Sequence, residues 1–165
     1  SNDDCGDAER CSVDSTCETI TAIAVDFCRL QFPLEISTAE PGGLTTIYGR
    51  LYHEGITDLS SDTDPNPLVL AEVGYGADGV IPDDTWRWRE AIPNAYYDGA
   101  TLGGYEANND EYMGEMITPE VGQYDFAFRF SVDRGTSWTI CDFGLFGAGS
   151  SDGYAPEDAG QLNVF

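Results

Sequence analysis

The sequence predicts an all-β sandwich of about eight strands, in immunoglobulin or fibronectin type III style. Three observations predict it. Short apolar runs alternate with a period of two, most strictly at Tyr124, Phe126, Phe128 and Phe130 against Asp125, Ala127 and Arg129. Turn formers, 19 Gly and 8 Pro, are scattered between those runs. No segment carries a helical period. At 165 residues the chain suits one domain plus an arm.

The elements follow in order. Residues 1–22 are acidic and cysteine-containing, with few large apolar groups, and read as an N-terminal arm. Residues 23–165 read as the sandwich domain. Its first one or two strands carry Ala24, Cys28, Leu30 and Phe32 and end at Pro33. A Pro-Gly-Gly turn at 41–43 leads to a strand over 45–53, with Ile47, Gly49 and Leu51 opposite Tyr48, Arg50 and Tyr52. Residues 54–67 form a loop rich in Asp, Ser and Pro. The nearly continuous apolar run at 68–75 reads as a central strand. The next strand, 85–91, places Trp86 and Trp88 on one face and Arg87 and Arg89 on the other. A long loop spans 93–110, and 111–117 is a strand. The Phe-rich strand at 124–130 turns at Asp133, Arg134 and Gly135 into 136–141. A glycine-rich loop then precedes a last short strand at 161–164.

Charge bounds the partners. There are 30 acidic residues against 7 basic ones, a net charge of −23, and every basic residue is Arg. So negative a field repels phosphate backbones and anionic lipid, which disfavours nucleic acid and membrane partners. No apolar run is long enough to span a bilayer. Without Lys there is no Schiff base, no phosphate-loop lysine and no lysine crosslink. The 5 cysteines, Cys5, Cys11, Cys17, Cys28 and Cys141, form no C-x-x-C pair, which argues against zinc and for disulfides in an extracellular or cell-surface protein. The expected bridges are Cys28 with Cys141 and one among Cys5, Cys11 and Cys17, leaving one thiol over.

Two motifs that spell chemistry lack its context. Gly74, Gly76 and Gly79 fit G-x-G-x-x-G after a strand, but Pro82 follows at once, so no helix N-terminus can receive a pyrophosphate. Gly149, Ser151 and Gly153 fit G-x-S-x-G within a glycine-rich loop, whereas a nucleophile elbow needs a strand before it and a helix after. The single histidine, His53, lies far upstream. With so many acids, paired carboxylates arise by chance. The chain therefore reads as non-enzymatic.

Two ligand classes remain. Asp58, Asp62, Asp64 and Asn66 crowd one loop and begin like an EF-hand, but glycine is missing where that loop needs it and Val73 stands at its twelfth position. A hard-cation site, calcium in particular, is still open there, with Asn108, Asp110, Glu111 and Asp152 as further candidates. Trp86, Trp88, Tyr96 and Tyr97 could stack on sugar rings. The competing reading is that Trp86 and Trp88 share the core face, and Trp138 beside Cys141 reads as core.

Several pieces also match a known pattern, in order along 24–164. They are Leu30-Gln-Phe-Pro33, Ile47-Tyr-Gly-Arg50, Gly55-Ile-Thr-Asp58, Val73-Gly-Tyr-Gly76, Trp86-Arg-Trp88, Asn109-Asp-Glu-Tyr112, Gly122-Gln-Tyr-Asp-Phe126, Thr136 to Asp142 and Asp152-Gly-Tyr154. With these the chain resembles a β-sandwich module of secreted bacterial proteins, found in starch-degrading enzymes of the amylase and pullulanase type and in extracellular nucleases. The resemblance implies a non-catalytic accessory domain, in some members a polysaccharide holder, and no catalytic residues. Residues 1–22 lie outside it. Two expectations follow. One is a structural subunit of a surface or matrix fibre that self-associates, its arm adding a strand to a neighbour's sheet edge, since head-to-tail contacts of that kind build filaments. The other is an α-glucan-binding accessory module.

Overall fold

The computed structural model describes residues 9–11, 17–19, 22–102 and 107–165, with the backbone alone at 9–11, 17–19, 102 and 145. Among them there is no α-helix, only strands and short 3-10 turns. The fold is all-β.

In the arm, β1 (Glu9–Cys11) and β2 (Cys17–Thr19) form an antiparallel pair that sets Cys11 opposite Cys17. The bridge expected among Cys5, Cys11 and Cys17 lies outside the described residues. The other nine strands are β3 (Phe27–Phe32), β4 (Glu35–Thr38), β5 (Leu44–Tyr52), β6 (Leu70–Ala77), β7 (Arg87–Pro93), β8 (Asp110–Ile117), β9 (Gly122–Ser131), β10 (Thr139–Cys141) and β11 (Gly160–Val164). Hydrogen bonding joins all nine into one sheet, in the order β3-β5-β8-β7-β6-β9-β11-β4, with β10 also paired to β9. Two separate sheets were expected; instead there is one curled sheet.

The curl has a local cause. β3 and β4 are consecutive in the chain yet lie at opposite ends of the sheet, parted by a cis Phe32–Pro33 bond. Proline cannot donate to a ladder, so the chain leaves β5 there and joins β11 in a parallel pairing. The ends then meet. The Leu30 N–H donates to the Asp142 carbonyl at 2.8 Å. A disulfide joins Cys28 to Cys141. The sequence reading missed β4, whose four residues show only a weak alternation.

Inside the curl sit Phe126, Phe128, Phe130, Leu30, Ile47, Leu51, Val73, Met116 and Leu162, all essentially inaccessible. Each such side chain contributes about 2 kcal/mol by leaving water. Tyr112 stands edge-on to Phe130, 5.4 Å between centroids. β9 departs from the half-buried strand that its alternation predicts. Asp125 and Ala127, on the face opposite the phenylalanines, are also fully buried. The Asp125 carboxylate accepts the Gly79 N–H at 2.8 Å and the Gln161 side-chain amide at 2.7 Å, so neighbouring segments cover this part of the outer face.

Candidate functional site

The outer face of β6, β7, β9 and β10 carries an aromatic row. Its foundation is glycine. Trp88 lies against Gly74 and Trp86 against Gly76; a Cβ at either glycine would fall 2.3 Å and 2.2 Å from the indole concerned. Trp86 stacks on Trp88 with centroids 5.3 Å apart, and Tyr154 meets Trp86 edge-on at 6.2 Å. The Arg129 guanidinium then lies 4.4 Å from the Trp88 ring and 4.3 Å from the Trp138 ring. Glu72, opposite Arg129 in the β6–β9 register, fixes that cation through its Nε at 2.6 Å and through Nη2. One ion-paired arginine thus bridges two indoles, an arrangement that desolvated cation–π contacts stabilise by ~2 kcal/mol.

Beyond Trp138 the row opens into a groove of about 510 Å³. Leu70 and Ile92, both substantially exposed, form its apolar floor with Pro65, Pro67 and Trp138. Glu72, Glu90 and Asn66 bring oxygen acceptors to the same groove. Glu72 and Glu90 are directly paired across β6 and β7. The result is a strip of apolar surface edged by carboxylates and an amide, with no basic side chain among its described lining residues. Such a surface suits a neutral, hydroxyl-rich ligand that has an apolar face, and it rejects anions.

The four aromatic residues expected to bind sugar do not make one platform. Trp86 is 4% exposed and Tyr97 5%, so neither offers a ring face to a ligand. Tyr97 instead covers the Arg50 guanidinium at 5.5 Å. Trp88 is half-buried within the row. Tyr96 is 93% exposed on the loop after β7, apart from the row. Trp138, assigned to the core by analogy with immunoglobulin domains, is a half-buried indole that lines the groove. Arg129 was the missed signal: a cation set among phenylalanines, whose cross-strand partner Ile140 lies two residues from Trp138.

The four residues expected to hold a metal are spread along their loop. Asp58 accepts the Gly55 N–H at 2.8 Å, and Asp64 accepts the Ser60 N–H and hydroxyl, each at 2.9 Å. Asn66 accepts the Leu68 N–H at 3.0 Å through its side-chain oxygen, and Asp62 bridges through its backbone to Asp98. These are turn-forming bonds. Among the described residues no three acidic, histidine or cysteine side chains converge. Of the further candidates, Glu111 accepts the Asn94 amide at 2.7 Å and faces Arg50, whereas Asp110 is fully buried with neither carboxylate oxygen hydrogen-bonded. Burial, with the nearby Asp64 charge, pushes Asp110 up to about 7 although the Asp64 N–H points its way. In the G-x-S-x-G stretch, the Ser150 hydroxyl accepts the Cys28 N–H at 2.9 Å, so it clamps β3.

Two predictions arise here. Gly76→Ala would drive a methyl into Trp86 from a strand held by ladders on both sides, so an unfolding free energy lower by about 2 kcal/mol is expected in urea titration. Asp142 is fully buried, and burial pushes its carboxyl up to about 6 against the pull of the Ala155 N–H at 2.7 Å, with Asp158 and Asp152 adding to the rise. The folded state then holds this proton more tightly than the unfolded state. The stability it gives is complete below about 4 and is lost as pH rises through about 6. With allowance for solvent screening the change is on the order of 1–2 kcal/mol, and melting curves of Asp142→Asn across that range should lose this part of the slope.

Comparison with known proteins adds a partial likeness. No protein-family profile matches the chain. Over 110 residues it is 24% identical to an amylopullulanase of Thermoanaerobacter thermohydrosulfuricus, a stretch covering 56% of this chain and 7% of that protein. Over 124 residues it is 25% identical to an amylopullulanase of Thermoanaerobacterium thermosulfurigenes, covering 71% of this chain and 6% of that protein. The chain thus spans less than a tenth of the length of these curated relatives.

Proposed function

We propose that this chain is a non-catalytic accessory module that binds α-glucan along the groove between Trp138 and Ile92. The observation that carries the reading is the groove itself. Leu70, Ile92 and Trp138 offer an apolar strip, and Glu72, Glu90 and Asn66 edge it with acceptors for sugar hydroxyls. A pyranose ring has that same division, with C–H faces and a hydroxyl rim. Arg129 occupies one face of Trp138 and holds the indole still, so little side-chain entropy is lost on binding.

The relatives support the substrate class. Both are amylopullulanases, and this chain is similar to a small part of each. A segment of that size within a long glucan-degrading protein fits a module that holds substrate for a separate catalytic domain. The buried Cys28–Cys141 disulfide fits an extracellular or cell-surface location. The fibre-subunit reading draws no support from these features, since it rests on an arm that lies largely outside the described residues.

Affinity electrophoresis in native gels tests the proposal. Soluble starch cast in the gel should retard the chain, and Trp138→Ala should migrate as it does without starch. Equal mobility of the parent chain with and without starch would remove the proposal.

A further inference from the structure

The strongest feature that the groove does not use is the buried carboxylate at the start of β8. Asp110 is completely inaccessible, and neither of its oxygens has a hydrogen-bond partner. Tyr112, two residues on and on the same face, is 2% exposed, and its hydroxyl is also unpartnered. A buried carboxylate and a buried hydroxyl, both unsatisfied on one face, form a costly arrangement that a fold keeps when something supplies the missing partner.

The 54–67 loop is pinned over this point. The Thr57 hydroxyl donates to the Asn108 carbonyl at 2.9 Å, and Thr63 Oγ1 bonds both the N–H and the carbonyl of Glu111 at 3.3 Å. Those bonds set Asp64, next to Thr63, beside Asp110, next to Glu111. The Asp64 carboxylate is itself oriented by the Ser60 N–H and hydroxyl, and each oxygen keeps a lone pair for another partner.

We propose that Asp110 and Asp64 hold a divalent cation of the calcium type where the 54–67 loop meets β8. The donors are oxygen only, which selects a hard cation over zinc or copper. No third carboxylate converges there among the described residues, so backbone carbonyls and water complete the shell. Two carboxylates place the site in the weak, extracellular class of calcium affinities, on the order of 0.1–1 mM. The net charge of −23 raises the local cation concentration and works in the same direction. Tyr112 and the chain next to Asp64 also line the groove, but neither carboxylate does, so loss of the cation response alone would leave the glucan reading untouched.

The test uses the whole chain, stripped with chelator and then supplied with calcium or terbium. Calcium well above its Kd should raise the melting temperature by about 5 °C, since only the folded state binds. Terbium should show tyrosine-sensitised emission from Tyr112 that calcium competes away. Asp110→Asn should abolish both responses while melting, without metal, no lower than the parent chain, because an amide removes the buried charge. Asp64→Asn should abolish both as well, and it decides the matter if Asp110→Asn does not fold. Asp152→Asn should change neither. An unchanged melting temperature in the parent chain, no calcium-competed emission, or responses that survive in Asp110→Asn or Asp64→Asn would overturn the site.

Discussion

Replacing Cys28 and Cys141 with alanine should destabilise the domain by about 4 kcal/mol, read as a melting temperature lower by about 10 °C. The disulfide spans 113 residues of sequence, so it removes much of the freedom of the unfolded chain. It also sits where the curled sheet meets itself. β3 and β10 share no ladder; the bridge joins these ends together with three hydrogen bonds, Leu30 N–H to the Asp142 carbonyl, Val25 N–H to the Thr139 hydroxyl and Cys28 N–H to the Ser150 hydroxyl. Both cysteines are inaccessible, so reductant should act only after unfolding, and the native protein should resist it at room temperature. A loss under about 1 kcal/mol would mean that packing of the phenylalanine core closes the curl without the crosslink.

The second large effect concerns the groove. Ile92→Glu places a carboxylate on the floor between Leu70 and Trp138, and Trp138→Ala removes its aromatic wall. Ile92 is half-exposed and lies outside the core, so its substitution should leave unfolding within ~0.5 kcal/mol of the parent chain. Glucan affinity should fall at least about tenfold in either variant, which corresponds to ~1.4 kcal/mol. Trp138→Ala should also unfold more easily, by about 1–2 kcal/mol, because Arg129 loses one of its two rings. The two variants therefore separate loss of binding from loss of fold. Tyr96→Ala should change neither quantity, since that ring stands apart from the groove.

Much of the fold was legible because β-strands announce themselves locally. Alternation placed the cores of β5 and β9, a nearly continuous apolar run placed β6, and the Asp133–Gly135 turn marked the β9–β10 hairpin. There Arg134 and Gly135 both take positive φ, 58° and 84°. What was not legible was non-local. That β3 and β4 close opposite ends of one sheet depends on pairing across the whole chain, and β4 is too short to show a period. The two faces of β9 are both buried because the neighbouring segments fold over it, and those segments have no periodicity to read.

The candidate site was legible only in its residue types. Trp86 and Trp88 marked the right face, but their spacing could not say that Gly74 and Gly76 would let the indoles settle inward and out of a ligand's reach. Trp138 was read as core because it precedes Cys141. The ring is drawn outward by Arg129, whose own place is fixed by Glu72, 57 residues upstream. Local density in the sequence points to Asp58, Asp62, Asp64 and Asn66 as a cation loop. Asp58, Asp64 and Asn66 spend side-chain oxygens on the loop's own turns, and a carboxylate with neither oxygen partnered is Asp110, 46 residues beyond Asp64.

Calorimetric titration of a linear maltooligosaccharide into the parent chain and into Ile92→Glu tests the central claim most directly. The expected result is saturable one-site binding to the parent chain that Ile92→Glu weakens at least about tenfold with its melting curve unchanged. Binding of equal strength by both proteins, or no heat from the parent chain at millimolar sugar, would contradict a glucan site in this groove.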